Sequence, residues 1–314
     1  MAVLSTILNL VLCGINDLLG AGLQGCDFDF GNVKQVRIQK KGFTIPADAD
    51  YNKAYLRQAQ QDGNIVMVLD GVYDFTWNTG EDSTEDAEST GLSSVTRKGI
   101  YAVSFKFRKG LYHQKVLNSL DGGNFDVVLV DESGNELFTQ TSTGGVKGFS
   151  TSMIAVDPIM FANGTTSQKT GVRMQFSNST QFNKSLAWNS AEQLDFVYDE
   201  ITGANQVAVS VPTAPSNSDT TVVVKTVLAR GGSFVGGLTA ANFLVKVNGA
   251  GAAPTAAVAD SSAGTYTLTI PTLSTSDKVE VSLYDSAANS SIVIVNPSAD
   301  DVLYKSNTAT TVVA

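Results

Sequence analysis

Residues Lys98–Phe149 read KGIYAVSFKFRKGLYHQKVLNSLDGGNFDVVLVDESGNELFTQTSTGGVKGF. Tyr101, Val103, Phe105 and Phe107 alternate with Ala102, Ser104, Lys106 and Arg108, the period of a strand with one buried face. Gly110 ends that strand. Tyr112, Val116 and Leu120 then recur at spacing four, which predicts a short helix turned inward on that face. Asp121-Gly122-Gly123 stops the helix. The apolar run Val127–Val130, the turn Asp131-Glu132-Ser133-Gly134-Asn135 and a return through Leu137 and Phe138 complete a hairpin. The stretch predicts a sheet with one helix laid on it and carries no catalytic constellation.

Upstream, Val33, Val36 and Ile38 with Lys34, Arg37 and Lys40 predict a strand with a basic face. Pro46–Gly63 is polar, with a helical turn expected at Tyr55-Leu56-Arg57. Ile65–Leu69 and Tyr73, Phe75, Trp77 predict two strand pieces joined by a bulge at Asp70-Gly71. Asn78–Ser94 holds Glu81, Asp82, Glu85, Asp86 and Glu88 with no basic residue, and it is expected to form a long acidic hairpin arm. The spacing of a calcium loop is missing from it. Ser104, Lys106 and Arg108 form an outward row suited to meeting the acidic arm of a neighbouring copy. Downstream, Phe149–Val156 and Thr170–Phe176 predict strands, and Asn178–Trp188 a short helical connection.

The composition bounds function. Of 314 residues 43% are hydrophobic and only 16% charged, which suits a β protein or a subunit buried against copies of itself. A net charge of −9 argues against nucleic-acid binding through phosphates. There is a single histidine, His113, expected at the surface beside Lys115, and no Gly-x-Ser-x-Gly elbow or phosphate-binding loop. No enzyme activity, cofactor or metal is expected. Cys13 and Cys26 lack metal-ligand spacing and are expected as free thiols, a disulfide between them being the alternative. The N-terminal stretch has no Lys or Arg before Lys34 and does not read as a signal peptide. Its Ile7, Leu8, Val11, Leu12, Ile15, Leu18 and Leu19 predict an amphipathic helix.

Three segments follow: 1–25, helix and linker; 26–203, a β domain; 204–314, a second β domain. In the last, aromatics thin out and Val, Thr, Ala and Ser take over. Strands are expected at Val207–Val211, Thr221–Leu228, Phe243–Val247, Thr265–Ile270, Val279–Tyr284, Ile292–Val295 and Thr308–Val313, the count and spacing of an immunoglobulin-like sandwich.

GLTAANFLVKVNG (Gly237–Gly249) and GTYTLTIPTLSTSDKVEVSLYDSAANSS (Gly264–Ser291) resemble bacterial and phage immunoglobulin-like modules. In element order, residues 27–203 resemble the tail-tube fold of long-tailed phages: a β-sandwich or barrel with one flanking helix and a long hairpin arm. The resemblance implies a structural virion protein, assembled in the host cytoplasm, that forms hexameric rings stacked into a tail tube. Its partners would be copies of itself, other virion proteins and double-stranded DNA passing without specific binding. The immunoglobulin-like domain would meet cell-surface glycans. Glu81, Asp82, Glu85, Asp86, Glu88, Lys106 and Arg108 would then be assembly or lumen residues. The alternatives are a capsid subunit or decoration protein, and a secreted adhesin or surface-layer subunit.

Overall fold

The computed structural model describes residues 3–4, 29–87, 92–97, 99–295 and 302–314. The expected N-terminal helix, Cys13, Cys26 and Glu88 lie outside them. The chain divides into two compact units, Met1–Leu56 with Gly63–Thr202 and Arg57–Asp62 with Gly203–Ala314. Both are mostly β.

The elements of the first unit are β1 (Val33–Lys40), β2 (Thr44–Ile45), α1 (Lys53–Gln61, whose last turn groups with the second unit), β3 (Ile65–Asp70), β4 (Tyr73–Thr79), β5 (Ser83–Ala87), β6 (Leu92–Arg97), β7 (Tyr101–Phe107), α2 (Leu111–Leu117), β8 (Phe125–Asp131), β9 (Glu136–Gln140), β10 (Val146–Lys147), β11 (Phe149–Val156), β12 (Thr170–Phe176), α3 (Thr180–Asn183) and β13 (Leu186–Asn189). All but β5 and β6 among these strands join one sheet. β8 is its hub, pairing β1 along one edge and both β11 and β9 along the other. β11 turns the corner: Phe149 and Ser150 pair β8, and Thr151–Val156 pair β12 with a bulge between Thr151 and Met153. The sheet thereby curls into a half-barrel. Val36, Ile38, Val127 and Leu129 from one part share a core with Val103, Phe105, Phe107, Val172, Met174 and Phe176 from the other. The alternation read in β7 and β12 is the alternation observed. Phe182 of α3 stacks on Phe149 at 4.2 Å between ring centres.

Four expectations are corrected. The inward face of α2 is Gln114, Leu117 and, just beyond it, Leu120, not Tyr112 and Val116; Tyr112 is exposed. Gln114 earns burial through polar bonds, donating to Asp157 O at 3.0 Å and accepting from Thr170 Oγ1 at 2.6 Å, so apolar spacing misplaces the face. The flanking helix is not single: α1 runs nine residues, and Arg57, Gln60 and Gln61 are buried beside Leu56 and Ala59, so polar side chains interrupt its inward face. Asp70-Gly71 is a corner and not a bulge, because β3 pairs β1 while β4 pairs β7. Arg37 does not belong to a basic face.

Arg37 is instead fully buried opposite Glu136 of β9. Its Nη1 donates to Glu136 Oε1 at 3.2 Å, to Tyr198 OH at 2.7 Å and to Tyr51 OH at 3.1 Å. Tyr51 OH donates to Glu136 Oε1 at 2.6 Å, and Asn189 Nδ2 to Oε2 at 2.8 Å. Burial pulls the Arg37 pKa down, but Tyr198, Tyr51 and Glu136 outweigh that and hold the guanidinium charged. Burial pushes both tyrosine hydroxyls up, so they stay protonated as donors.

The second unit holds β14 (Asn205–Ser210), β15 (Thr221–Leu228), β16 (Phe243–Val247), β17 (Ala250–Gly251), β18 (Ala256–Asp260), β19 (Thr265–Thr269), β20 (Lys278–Leu283), β21 (Ile292–Val295), β22 (Val302–Ser306) and β23 (Ala309–Val312). They form two sheets, β18-β19-β15-β14-β22-β21 and β17-β16-β20-β23. Val222, Val224 and Leu268 of the first face Val245, Val279 and Val281 of the second across one core, a β-sandwich. Tyr266 is buried with its hydroxyl satisfied, donating to Val235 O at 3.0 Å and accepting from Leu238 N–H at 3.1 Å. Where the chain passes from β22 to β23, the Asn307 side chain carries on the ladder. It accepts from Val209 N–H at 2.8 Å and donates to Val209 O at 2.9 Å.

Glu136→Gln keeps the shape of the buried network and removes the charge opposing Arg37. It is expected to cost about 3–5 kcal/mol of unfolding free energy in urea titration, with most of that restored by Arg37→Met combined with Glu136→Leu.

Candidate assembly surface

The arm is a hairpin. Strand β5 pairs β6 from Ser83 opposite Arg97 to Ala87 opposite Leu92, and among the described residues neither pairs any other strand. It prolongs the β4–β7 ladder, which runs from Tyr73 opposite Lys106 to Thr79 opposite Tyr101. Between the ladders lies a narrow neck. Gly80 N–H donates to Ile100 O at 3.0 Å, and Gly99 N–H donates to Asp82 Oδ1 at 2.7 Å. A Cβ at residue 99 would stand 1.7 Å from Gly80 O, so only glycine fits.

Of the expected assembly residues, Glu81 and Asp82 are exposed at the neck. Glu85 and Asp86 lie on β5, opposite Ser94 and Ser93. The structure thus gathers these four acids on one hairpin.

Lys106 and Arg108 lie at the far end of the supporting ladder. They do not form a bare basic row. Lys106 is ion-paired with Asp74, and its ammonium hydrogen bond holds the Asp74 carboxyl below the usual range. The Arg108 guanidinium lies over the Tyr73 ring, 4.6 Å from its centre. Together with Lys169 and the Thr165–Ser167 loop, these residues line an open cleft of about 560 Å³. Sequence reading missed Lys169 because loop and strand are brought together by long-range contacts, the pairing of Thr170 with Phe107 and the bond from Gln168 to Lys109 O.

The chain matches no protein-family model and no curated protein.

Among the described residues no three His, Cys, Asp or Glu side chains gather to hold a metal. Likewise no helix among them is long and apolar enough to cross a membrane. His113 is not the surface histidine expected. It is half-buried, its ring edge-on to Phe107 at 4.9 Å, and its Nε2 has no hydrogen-bond partner. Burial, then the nearby Lys109 ammonium, push its pKa down to about 4, against a smaller opposing pull from Asp70. Lys109 itself bonds Asp70 at 2.5 Å.

The His113 shift has a defined pH consequence. The unfolded chain takes up the imidazole proton near pH 6.5 and the folded chain only near pH 4, so stability falls as pH drops through that window. His113→Leu is expected to flatten the fall by about 1 kcal/mol, the ring being partly solvated, in denaturant titrations across the window.

Proposed function

We propose that the chain is a structural subunit that assembles with copies of itself, as rings stacked into a phage tail tube that conducts DNA. The observation that carries the reading is the arm: a self-paired hairpin bearing acids, set on a glycine neck beyond a curled, aromatic-rich sheet. Such an arm pairs no other strand of the subunit among the described residues and offers its charge to a partner. The sheet supports the same reading. β4 pairs only β7 and β3 only β1 among the described residues, so each leaves an edge for neighbours to close. The lumen of such a tube would be acidic, letting DNA pass without adhering.

The second unit is read as an immunoglobulin-like module, a decoration meeting surface glycans. Its strand order supports this. β14-β15-β19-β18 follows the A-B-E-D order of that fold, and β16-β20-β23 follows C-F-G, with β21 and β22 inserted between F and G.

Negative-stain electron microscopy of the purified protein is expected to show six-fold rings or stacked tubes; monomers under every condition, or closed shells, would overturn the reading. Replacing Ser83–Arg97 by an Asn-Gly turn is expected to leave single unstacked rings with an unchanged thermal midpoint.

A further inference from the structure

The acidic arm and the basic cleft stand at opposite ends of one two-strand ladder. From Tyr73, beside the cleft, to Thr79, where the arm begins, β4 rises roughly 20 Å. The cleft sets three cations, Lys106, Arg108 and Lys169, against one carboxylate, Asp74. Asp74 is already taken by Lys106. Among the described residues neither Arg108 nor Lys169 has a carboxylate within ion-pair distance, in a chain whose net charge is −9. One wall is fixed in advance: Asn163 Oδ1 accepts from the backbone N–H groups of Thr165 and Thr166 at 3.1 and 2.9 Å and from both hydroxyls. The arm has the opposite charge, five carboxylates from Glu81 to Glu88 and no cation between Asn78 and Thr96.

We infer that the cleft is the receptor for the acidic arm of a second copy, so that subunits join head to tail along the β4–β7 ladder. This rests on the reading of the chain as a self-assembling subunit. A contact between two different patches does not close on itself in a pair; it repeats, each copy giving an arm and receiving one. An acidic peptide is the occupant favoured over a phosphate polymer because the chain itself carries the complementary segment. It is tethered at a fixed place and present at the same stoichiometry as the cleft. Charge also makes the junction sensitive to salt, since Glu81 and Asp82 of the arm and Asp74 and Arg108 of the cleft are exposed.

Two full-length variants test the inference. The donor-dead variant carries Glu81→Gln, Glu85→Gln and Asp86→Asn. The receptor-dead variant carries Arg108→Glu and Lys169→Glu. Both are expected to keep the wild-type thermal midpoint and to stay unstacked when alone. Mixed, they should stack once, one arm set in one cleft set, and grow no further. Wild-type stacking should dissolve at about 1 M salt, where the Debye length is ~3 Å. Normal stacking of the receptor-dead variant alone, or no association in the mixture while wild type stacks, would overturn the inference and leave the assembly reading standing. If wild type forms no assembly at all, that reading falls, and the cleft is then tested by fluorescence anisotropy with a labelled peptide spanning residues 78–96. Binding to the full chain that weakens at least about tenfold in the receptor-dead variant sustains the cleft as an arm receptor. No peptide binding, or binding of inorganic phosphate or duplex DNA in its place, overturns it.

Discussion

Arg37 and Glu136 face each other at 3.2 Å with essentially no exposure to water, and neither charge is tolerable there without the other. That constraint organises the first unit. Strand β1 brings Arg37 and β9 brings Glu136, and the two are neighbours only because β8 pairs both strands. Tyr51, ahead of α1, and Tyr198, far along the chain, must close over the pair to satisfy it. The apolar core lies on the opposite face of the same strands, where Val36 and Ile38 alternate with Arg37. β1 is therefore buried on both sides by different chemistry: oil on one face, a hydrogen-bonded ion pair on the other. A pair of this kind contributes specificity of register more than net stability. A slip of one residue would turn Arg37 into the apolar core.

Where a buried face is apolar and its partner strands are close in sequence, the chain is legible by eye. β7, β11 and β12, the β8–β9 turn, and β14, β15, β16 and β20 fall where alternation puts them. Where burial is carried by polar groups, periodicity misleads. Arg37 reads as exposed, Gln114 as outward, and α1 as a single turn, because each is paid for by partners that no local pattern announces. Three strands of the sandwich escape for other reasons, the first of them, β17, because it is only two residues long. β18 is AAVAD, too small and too exposed to show alternation, and β22 earns its place by parallel pairing with β14, nearly a hundred residues earlier. Of the candidate assembly surface, the acids of the arm and the cations Lys106 and Arg108 were legible and the full cleft was not. Its third cation, Lys169, arrives through a loop whose position depends on the β12–β7 ladder.

The two units solve the edge problem differently. The sandwich covers its core with two sheets and threads β22 and β23 into separate ones, with Asn307 bonding in place of a backbone at the crossing. The curled sheet instead ends in β2, β13, β3 and β4, the last two being consecutive strands that part company at Asp70 and Gly71. Each leaves one side unpaired among the described residues. Unpaired backbone at a sheet edge is a liability in a monomer and an asset in a subunit.

The glycine neck has a mechanical meaning. At Gly80 and Gly99 the two strands touch backbone to backbone, with no room for a side chain between them. Load applied to the hairpin beyond would reach the sheet through the two covalent strands, the Gly80–Ile100 rung and the Asp82–Gly99 bond among the contacts at the neck. Such a joint bends before it pulls. In the assembly proposed above, a subunit pushed or turned by its neighbours would absorb the displacement there, leaving the register of β4 against β7 intact.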